Sequence, residues 1–135
     1  MITIDKQLIE ELFAKAEASE RKRMNYDLRT SSNDGSQRML NALLPGTVVP
    51  VHRHPMSNEN VIILCGRMDE VIYEASNEGM ELVETRRIHL DPTIGNYGCV
   101  VPAGAWHTVE VLEPTVIYEA KDGKYGEDGS EVWRK

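Results

Sequence analysis

His52 and His54 stand two residues apart in the run Gly46-Thr47-Val48-Val49-Pro50-Val51-His52-Arg53-His54-Pro55-Met56-Ser57-Asn58-Glu59. In extended backbone, side chains at i and i+2 project from one face, so this spacing presents two imidazoles side by side. A turn over Pro55 to Asn58 brings the next strand alongside, and Glu59 at its start can face the same interior. Farther on, Pro102-Ala103-Gly104-Ala105-Trp106-His107 ends a turn and sets His107 at the head of another strand. Three imidazoles and one carboxylate form a nitrogen and oxygen donor set. It suits a divalent transition metal (Fe, Mn, Ni, Co, Cu or Zn) better than Ca or Mg. Such a set leaves one or two positions open for water or substrate, as a catalytic centre requires. A His-x-His pair alone more often belongs to an ordinary strand; the signal is Gly46, His52, His54, Glu59 and Gly66 together, with His107 downstream. His89, in Arg86-Arg87-Ile88-His89, has no partner pattern and stays outside the expected site.

These residues must be carried by strands. From Met24 onward the apolar period is two, in short segments at about 37–43, 47–52, 59–65, 68–75, 80–88, 98–101, 107–112 and 115–121. Turn signals separate them at Asn33-Asp34-Gly35, Pro45-Gly46, Gly66, Asn77-Glu78-Gly79, Asp91-Pro92, Ala103-Gly104 and Glu113-Pro114. Strands so short and so regularly punctuated predict an antiparallel barrel or sandwich. One helix precedes them: Leu8, Ile9, Leu12, Phe13 and Ala16 recur at helical spacing, with Asp5 as N-cap and Ile4 placed to pack on Ile9. The charged stretch Glu17 to Arg23 reads as a solvated helix end. The polar, Gly-rich stretch from Asp122 to Gly129 reads as loop, and Trp133 as the residue that ties the terminus down. The expected organisation is one domain: an N-terminal helix and charged segment over 1–23, a barrel over 24–126 and a tail over 127–135.

Composition narrows the partners. The 135 residues include 15 Lys and Arg against 22 Asp and Glu, a formal charge of −7, which disfavours nucleic acid and anionic membranes. The longest strongly apolar run, Val61 to Cys65, is far too short to cross a bilayer, and the acidic start does not read as a leader peptide. Cys65 and Cys99 lie in apolar strand segments and read as free buried thiols, which points to the cytoplasm.

Gly46-x5-His52-x-His54-x4-Glu59-x6-Gly66 resembles the first cupin motif without gap or mismatch, and Pro102-x-Gly104-x-x-His107 the core of the second. Two elements of the second motif depart: Asn96, with Gly95 beside it, stands where the motif has glycine, and Val111 where it has asparagine. Neither is a metal ligand. The series Arg21 to Leu28, Gln37-Arg38-Met39-Leu40, Pro45-Gly46-Thr47, Pro50-x-His52-Arg53-His54-Pro55, Trp106-His107-Thr108-Val109 and Tyr118-Glu119-Ala120-Lys121-x-Gly123-x-Tyr125 is similar to the WbuC-type cupins over roughly residues 20–126. That resemblance implies a mostly β, single-domain cupin, a small antiparallel β-barrel or jelly roll with an N-terminal α-helix. It also implies a metal at His52, His54, Glu59 and His107, and a connection with bacterial surface polysaccharides.

Strand phase supplies the surroundings of the site. Counting by twos from Glu59 places Val61, Ile63 and Cys65 inside, and from His107, Val109 and Val111. Arg38, on an early strand, can clamp a substrate carboxylate or phosphate, or sit on the surface at a strand end. Glu119 and Lys121 share a face of the last strand, either as a solvated ion pair or as a catalytic acid and base lining the cavity. Asn25 and Tyr26 fit an extra edge strand, exchanged with a second subunit or not, with Asn25 a substrate-binding candidate. Trp106 fits a buttress for His107. Three functions are compatible with this set: an isomerase, epimerase or lyase acting on a sugar or sugar nucleotide with Glu119 shuttling a proton, an Fe(II)-dependent dioxygenase, and a non-catalytic ligand-binding or regulatory module. Ile62 and Leu64 point outward yet are apolar, so a helix or a second copy of the chain must cover them; the expected assembly is a homodimer.

Overall fold

A computed structural model describes residues 1–124 and 126–134. Tyr125, part of the family resemblance, lies outside the described residues. Helix α1 (Lys6–Ala18) opens the chain, and the Asp5 carboxylate caps it by accepting from the Leu8 backbone N–H at 3.0 Å. Eight strands follow: β1 (Arg23–Asp27), β2 (Ser36–Leu43), β3 (His52–Arg53), β4 (Glu59–Ser76), β5 (Glu81–Leu90), β6 (Gly98–Val101), β7 (Trp106–Asp122) and β8 (Glu131–Val132). All their pairings are antiparallel. The expected fold class, mostly β with one N-terminal helix, is the fold observed.

Two strands are far longer than their hydrophobic segments suggest. Segments 59–65 and 68–75 form the single strand β4, and 107–112 with 115–121 form β7. These two pair along almost their whole lengths, with register shifts between Ile63 and Cys65, Cys65 and Arg67, and Arg67 and Met68. Gly66 and Glu113-Pro114 are therefore bulges in a continuous ladder, not turns. Gly66 has φ +92°, and a Cβ there would lie 2.2 Å from the Pro114 carbonyl oxygen, so the close approach of the two backbones demands glycine. The first bulge also ends the simple count by twos. Val61 and Ile63 pack with Leu43, Met68, Leu90, Val101 and Ile117 in the interior, but Cys65 packs on the opposite side with Leu40, Ala42 and Val116 beneath α1. Both cysteines are free and half-buried.

Strand β1 pairs with β2, Asn25 opposite Asn41. Between residues 47 and 51, where a strand is expected, the chain is held mainly by side chains: the Thr47 hydroxyl donates to the Arg21 carbonyl (2.6 Å) and Arg23 donates to the Val48 carbonyl (2.7 Å). Pro50 lacks the N–H that a ladder needs. The terminus is tied down as Trp133 suggests. Its backbone N–H donates to the Val51 carbonyl (2.8 Å), and its ring meets Trp106 edge-on at 5.1 Å. Gly95, in the left-handed region at φ +86°, takes the sharp turn where the second motif departs from its family pattern, and Asn96 donates to the His89 carbonyl. Among the described residues no helix is long and apolar enough to cross a membrane.

Candidate metal centre

The three histidines converge because β7 lies between β3 and β4 at this end of the sheet. His107 pairs across to His52 on one side and to Ile72 on the other. His54 follows β3, and its carbonyl accepts from the Gly104 N–H (2.9 Å), which docks the turn before His107. Asn58 fixes the same turn by accepting from the Ala103 N–H (2.8 Å). One potential ligand atom from each of His52, His54 and His107 lies within 4.8 Å of the others. Glu59, at the start of β4, points into the cluster, with Oε2 3.0 Å from His54 Nε2 and Oε1 3.7 Å from His107 Nε2.

Hydrogen bonds on the far side of each ring fix which nitrogen faces inward. His52 Nδ1 lies 2.8 Å from the Pro50 carbonyl and His107 Nδ1 2.9 Å from the Ala105 carbonyl. A carbonyl can only accept, so both Nδ1 atoms carry the proton, and in the neutral rings that bind a metal both Nε2 atoms present a lone pair. His54 Nδ1 lies 2.7 Å from the Ser130 hydroxyl, which donates its own proton to Asp128 (2.7 Å) and so accepts from the ring. The Nε2 atoms of His54 and His107 are buried and make no hydrogen bond. Buried lone pairs facing a carboxylate call for a cation between them. The donor set and these orphaned atoms fit a divalent transition metal held by His52, His54, His107 and Glu59.

The electrostatics agree. Burial and the neighbouring His107 push His52 down to about 4, so it is neutral at physiological pH. In the metal-free chain positive charge takes the cation's place: hydrogen bonding and charge from His107 and His54 hold Glu59 well below the usual carboxylate range against its burial, and Glu59 raises His107 against its own burial.

Above the cluster a cavity of about 240 Å³ is walled by residues that include His52, Glu59, His107, Asn25, Asn41, Glu70 and Glu119, with Arg21 and Arg23 also on its lining. Glu119 accepts from Asn41 Nδ2 (3.1 Å); burial and the charge of Glu59 push its carboxyl up to about 7. The solvated Glu119–Lys121 pair is not found. Lys121 is buried against Asp128 instead and does not line this cavity. Nor does Arg38, which pairs with Asp34 (2.9 Å) and lines a separate, open groove of about 590 Å³ with Lys121, Ser57 and Asn58. On β2 the odd-numbered residues 37, 39, 41 and 43 face the cavity, which sends Arg38 to the other side. Asn25 lies on the lining. Trp106 packs against Trp133 and under Arg53, whose guanidinium sits 4.4 Å from the ring centre. His89 bonds Asp69 (2.7 Å) away from the cluster.

The sequence reading does not reach Arg21, Arg23, Asn41 or Glu70. The charged segment expected to be merely solvated delivers two of them to the cavity, because Arg23 begins β1 and bends inward to the Val48 carbonyl. The signal for Asn41 was a polar residue set between the apolar Leu40 and Ala42; Glu70, between Asp69 and Val71, gives no such signal.

Solved structures with the same architecture include a double-stranded β-helix protein from Klebsiella pneumoniae (16% identity, 100% of both chains, TM-score 0.61). They also include an oxalate oxidase in complex with glycolate (16% identity, 85% of this chain and 57% of that one, TM-score 0.60). A third is an oxalate decarboxylase from Lactobacillus farciminis in a formate complex (15% identity, 82% of this chain and 30% of that one, TM-score 0.58). The chain thus spans little more than half of the oxidase, and at these identities the likeness establishes the cupin fold alone. No curated protein matches the chain. A family model described as a domain of unknown function, DUF6016, matches residues 4–85, more than half of the sequence, and the chain belongs to that family.

Proposed function

We propose that the protein is a metal-dependent cupin that binds one divalent transition metal at His52, His54, Glu59 and His107 and acts on a small polar metabolite in the cavity above it. The observation that carries this reading is the pair of orphaned, buried Nε2 atoms of His54 and His107, turned toward Glu59 by hydrogen bonds behind the rings. The metal would act as a Lewis acid on a substrate oxygen. Glu119, raised to about 7, supplies a group able to take up or release a proton at neutral pH, which favours isomerase, epimerase or lyase chemistry. The WbuC-type resemblance supports a sugar or sugar-nucleotide substrate in surface-polysaccharide synthesis. At about 240 Å³ the cavity is below the roughly 300–1,000 Å³ of pockets for drug-sized ligands, so it accepts one sugar-sized unit with any nucleotide left outside. A homodimer through the outer face of β4 and β6 completes the proposal.

Elemental analysis of protein purified without added metal or chelator tests this. The expected content is about one transition-metal ion per chain, falling by at least tenfold in His52→Ala. Equal content in the two proteins, or none in the wild type after loading, rejects the reading. With metal bound, Glu119→Gln is expected to keep the ion and lose deuterium exchange from solvent into sugar substrates.

A further inference from the structure

Arg21 and Arg23 bring two positive charges to the lining of the cavity that holds His52, Glu59 and His107. The chain carries 22 acidic residues against 15 basic ones, yet neither guanidinium has an acidic partner among the described residues. Arg23 is half-buried, and its Nη1 donates to the Val48 carbonyl (2.7 Å) and the Thr47 hydroxyl (3.4 Å). Those bonds fix the guanidinium and leave its Nε and Nη2 edge without a partner among the described residues. Arg21 is exposed, and there its hydrogen bonds run through the backbone alone. The Thr47 hydroxyl that accepts from Arg23 also donates to the Arg21 carbonyl (2.6 Å), so one buried threonine braces both arginines. Burial and then the charge of Arg21 push Arg23 below its usual range, so the two cations feel each other. Like charges held together without a counter-charge raise the free energy of the fold, and a bound anion removes that cost.

Burial along the cavity orients such an anion. Glu59, Glu70 and His107 are buried, whereas Arg21 is exposed, so the arginines mark the solvent side. An anionic group is held there, away from the acidic side chains of the inner wall, and the uncharged body of the ligand points toward the histidines. The number of forks decides which anion. Each guanidinium presents donors that match a pair of oxygens. A carboxylate has one charge and two oxygens, which one fork satisfies. A phosphate monoester carries about two charges and three free oxygens, enough to engage both.

We propose that Arg21 and Arg23 form a phosphate subsite at the mouth of the cavity, so that the ligand is a small phosphorylated sugar or polyol whose hydroxylated end reaches the metal centre. This rests on the metal-centre reading above and names the substrate class for it.

Glycerol 3-phosphate, 3,4-dihydroxybutyrate and glycerol are the probes. They share a dihydroxypropyl body and end in a phosphate, a carboxylate and a neutral hydroxyl. Binding is measured by titration calorimetry at fixed ionic strength on metal-loaded and metal-stripped protein, with metal content determined on the same samples. In both forms the wild type is expected to bind glycerol 3-phosphate roughly tenfold or more tightly than the carboxylate, with no measurable binding of glycerol. Arg21→Gln and Arg23→Gln should each weaken the phosphate by roughly tenfold. Lys22→Gln removes an exposed charge that does not line the cavity and should leave the affinity within about twofold. No binding of glycerol 3-phosphate by the wild type, equal binding of phosphate and carboxylate, an affinity unmoved in either arginine variant, or an equal loss in Lys22→Gln overturns the subsite. Phosphate binding that vanishes with the metal but survives both arginine variants overturns it too, since the ion alone would then hold the anion. A wild type that takes up no metal overturns the underlying reading instead, and the metal content and the arginine dependence in metal-stripped protein tell the two failures apart.

Discussion

Glu119 is costly for the fold to keep. Its carboxyl titrates near 7 in the folded chain against 4.5 when free, chiefly through burial and then through Glu59. A raised carboxylate binds more protons folded than unfolded between those values, so its contribution to stability is lost as pH rises from about 4.5 to about 7. Above that range the burden approaches roughly 3 kcal/mol. In metal-free protein, Glu119→Gln should therefore leave Tm little changed near pH 4 and raise it at pH 8 by roughly 5–10 °C. His52 titrates in the opposite sense, since its lowered pKa adds stability as pH rises through about 4 to 6.5, but it is common to both proteins and cancels in their difference. Thermal melts across pH 4–8 settle the matter; a Tm difference independent of pH would show that Glu119 is not held as a strained acid. A residue that destabilises its own fold when ionised is what a proton-transfer site contains.

The convergence of His52, His54 and His107, the proposed ligands, was readable at the level of the element because a strand's period of two and a motif of fixed spacing are both local. The shell behind them was not. Asp128 and Ser130 lie in a stretch that reads as polar loop and tail, yet β8 pairs with β3 and the Ser130 hydroxyl is the acceptor for His54 Nδ1 across 76 residues of chain. Lys121 holds Asp128 from β7, so the tail is fastened to the barrel by a buried ion pair. Likewise, Gly66 and Glu113-Pro114 looked like turns because only the partner strand reveals that they are bulges where two long strands meet. An acceptor behind a metal-bound imidazole typically changes metal affinity 10–100-fold when removed. Ser130→Ala removes it without unpairing Lys121, and Asp128 Oδ2, 3.8 Å from Nδ1, is too far to replace it. The expected result is a rise of about tenfold or more in the Kd for the metal with the apo Tm little changed, measured by competition with a chelator of known affinity. An unchanged Kd would mean that the tail only closes the sheet.

For the whole molecule, one helix is too narrow for the sheet it covers. Helix α1 lies on Leu40, Ala42 and Val116, with Tyr118 and Cys65 at the margin of that contact. On the same outer face the sheet continues through Ile62, which pairs with Tyr118, to Val100, which pairs with Asn60. Beyond the helix Ile62 is 45% and Val100 58% exposed, and Leu64 is exposed beside them. The outward apolar residues were legible from strand phase; which of them the helix reaches was not, since that depends on where α1 docks. An apolar strip continuous with a covered face is the surface that the proposed homodimer would use. Sedimentation is expected to give twice the 15.2 kDa chain mass at micromolar concentration. Ile62→Glu, which places like charges across a two-fold contact, should give the single-chain mass while metal content stays at the wild-type level, because Ile62 points away from the His52, His54 and His107 cluster. A wild-type monomer, or an Ile62→Glu protein that stays dimeric, would remove this face from the assembly and leave the cavity and its metal centre as properties of one chain.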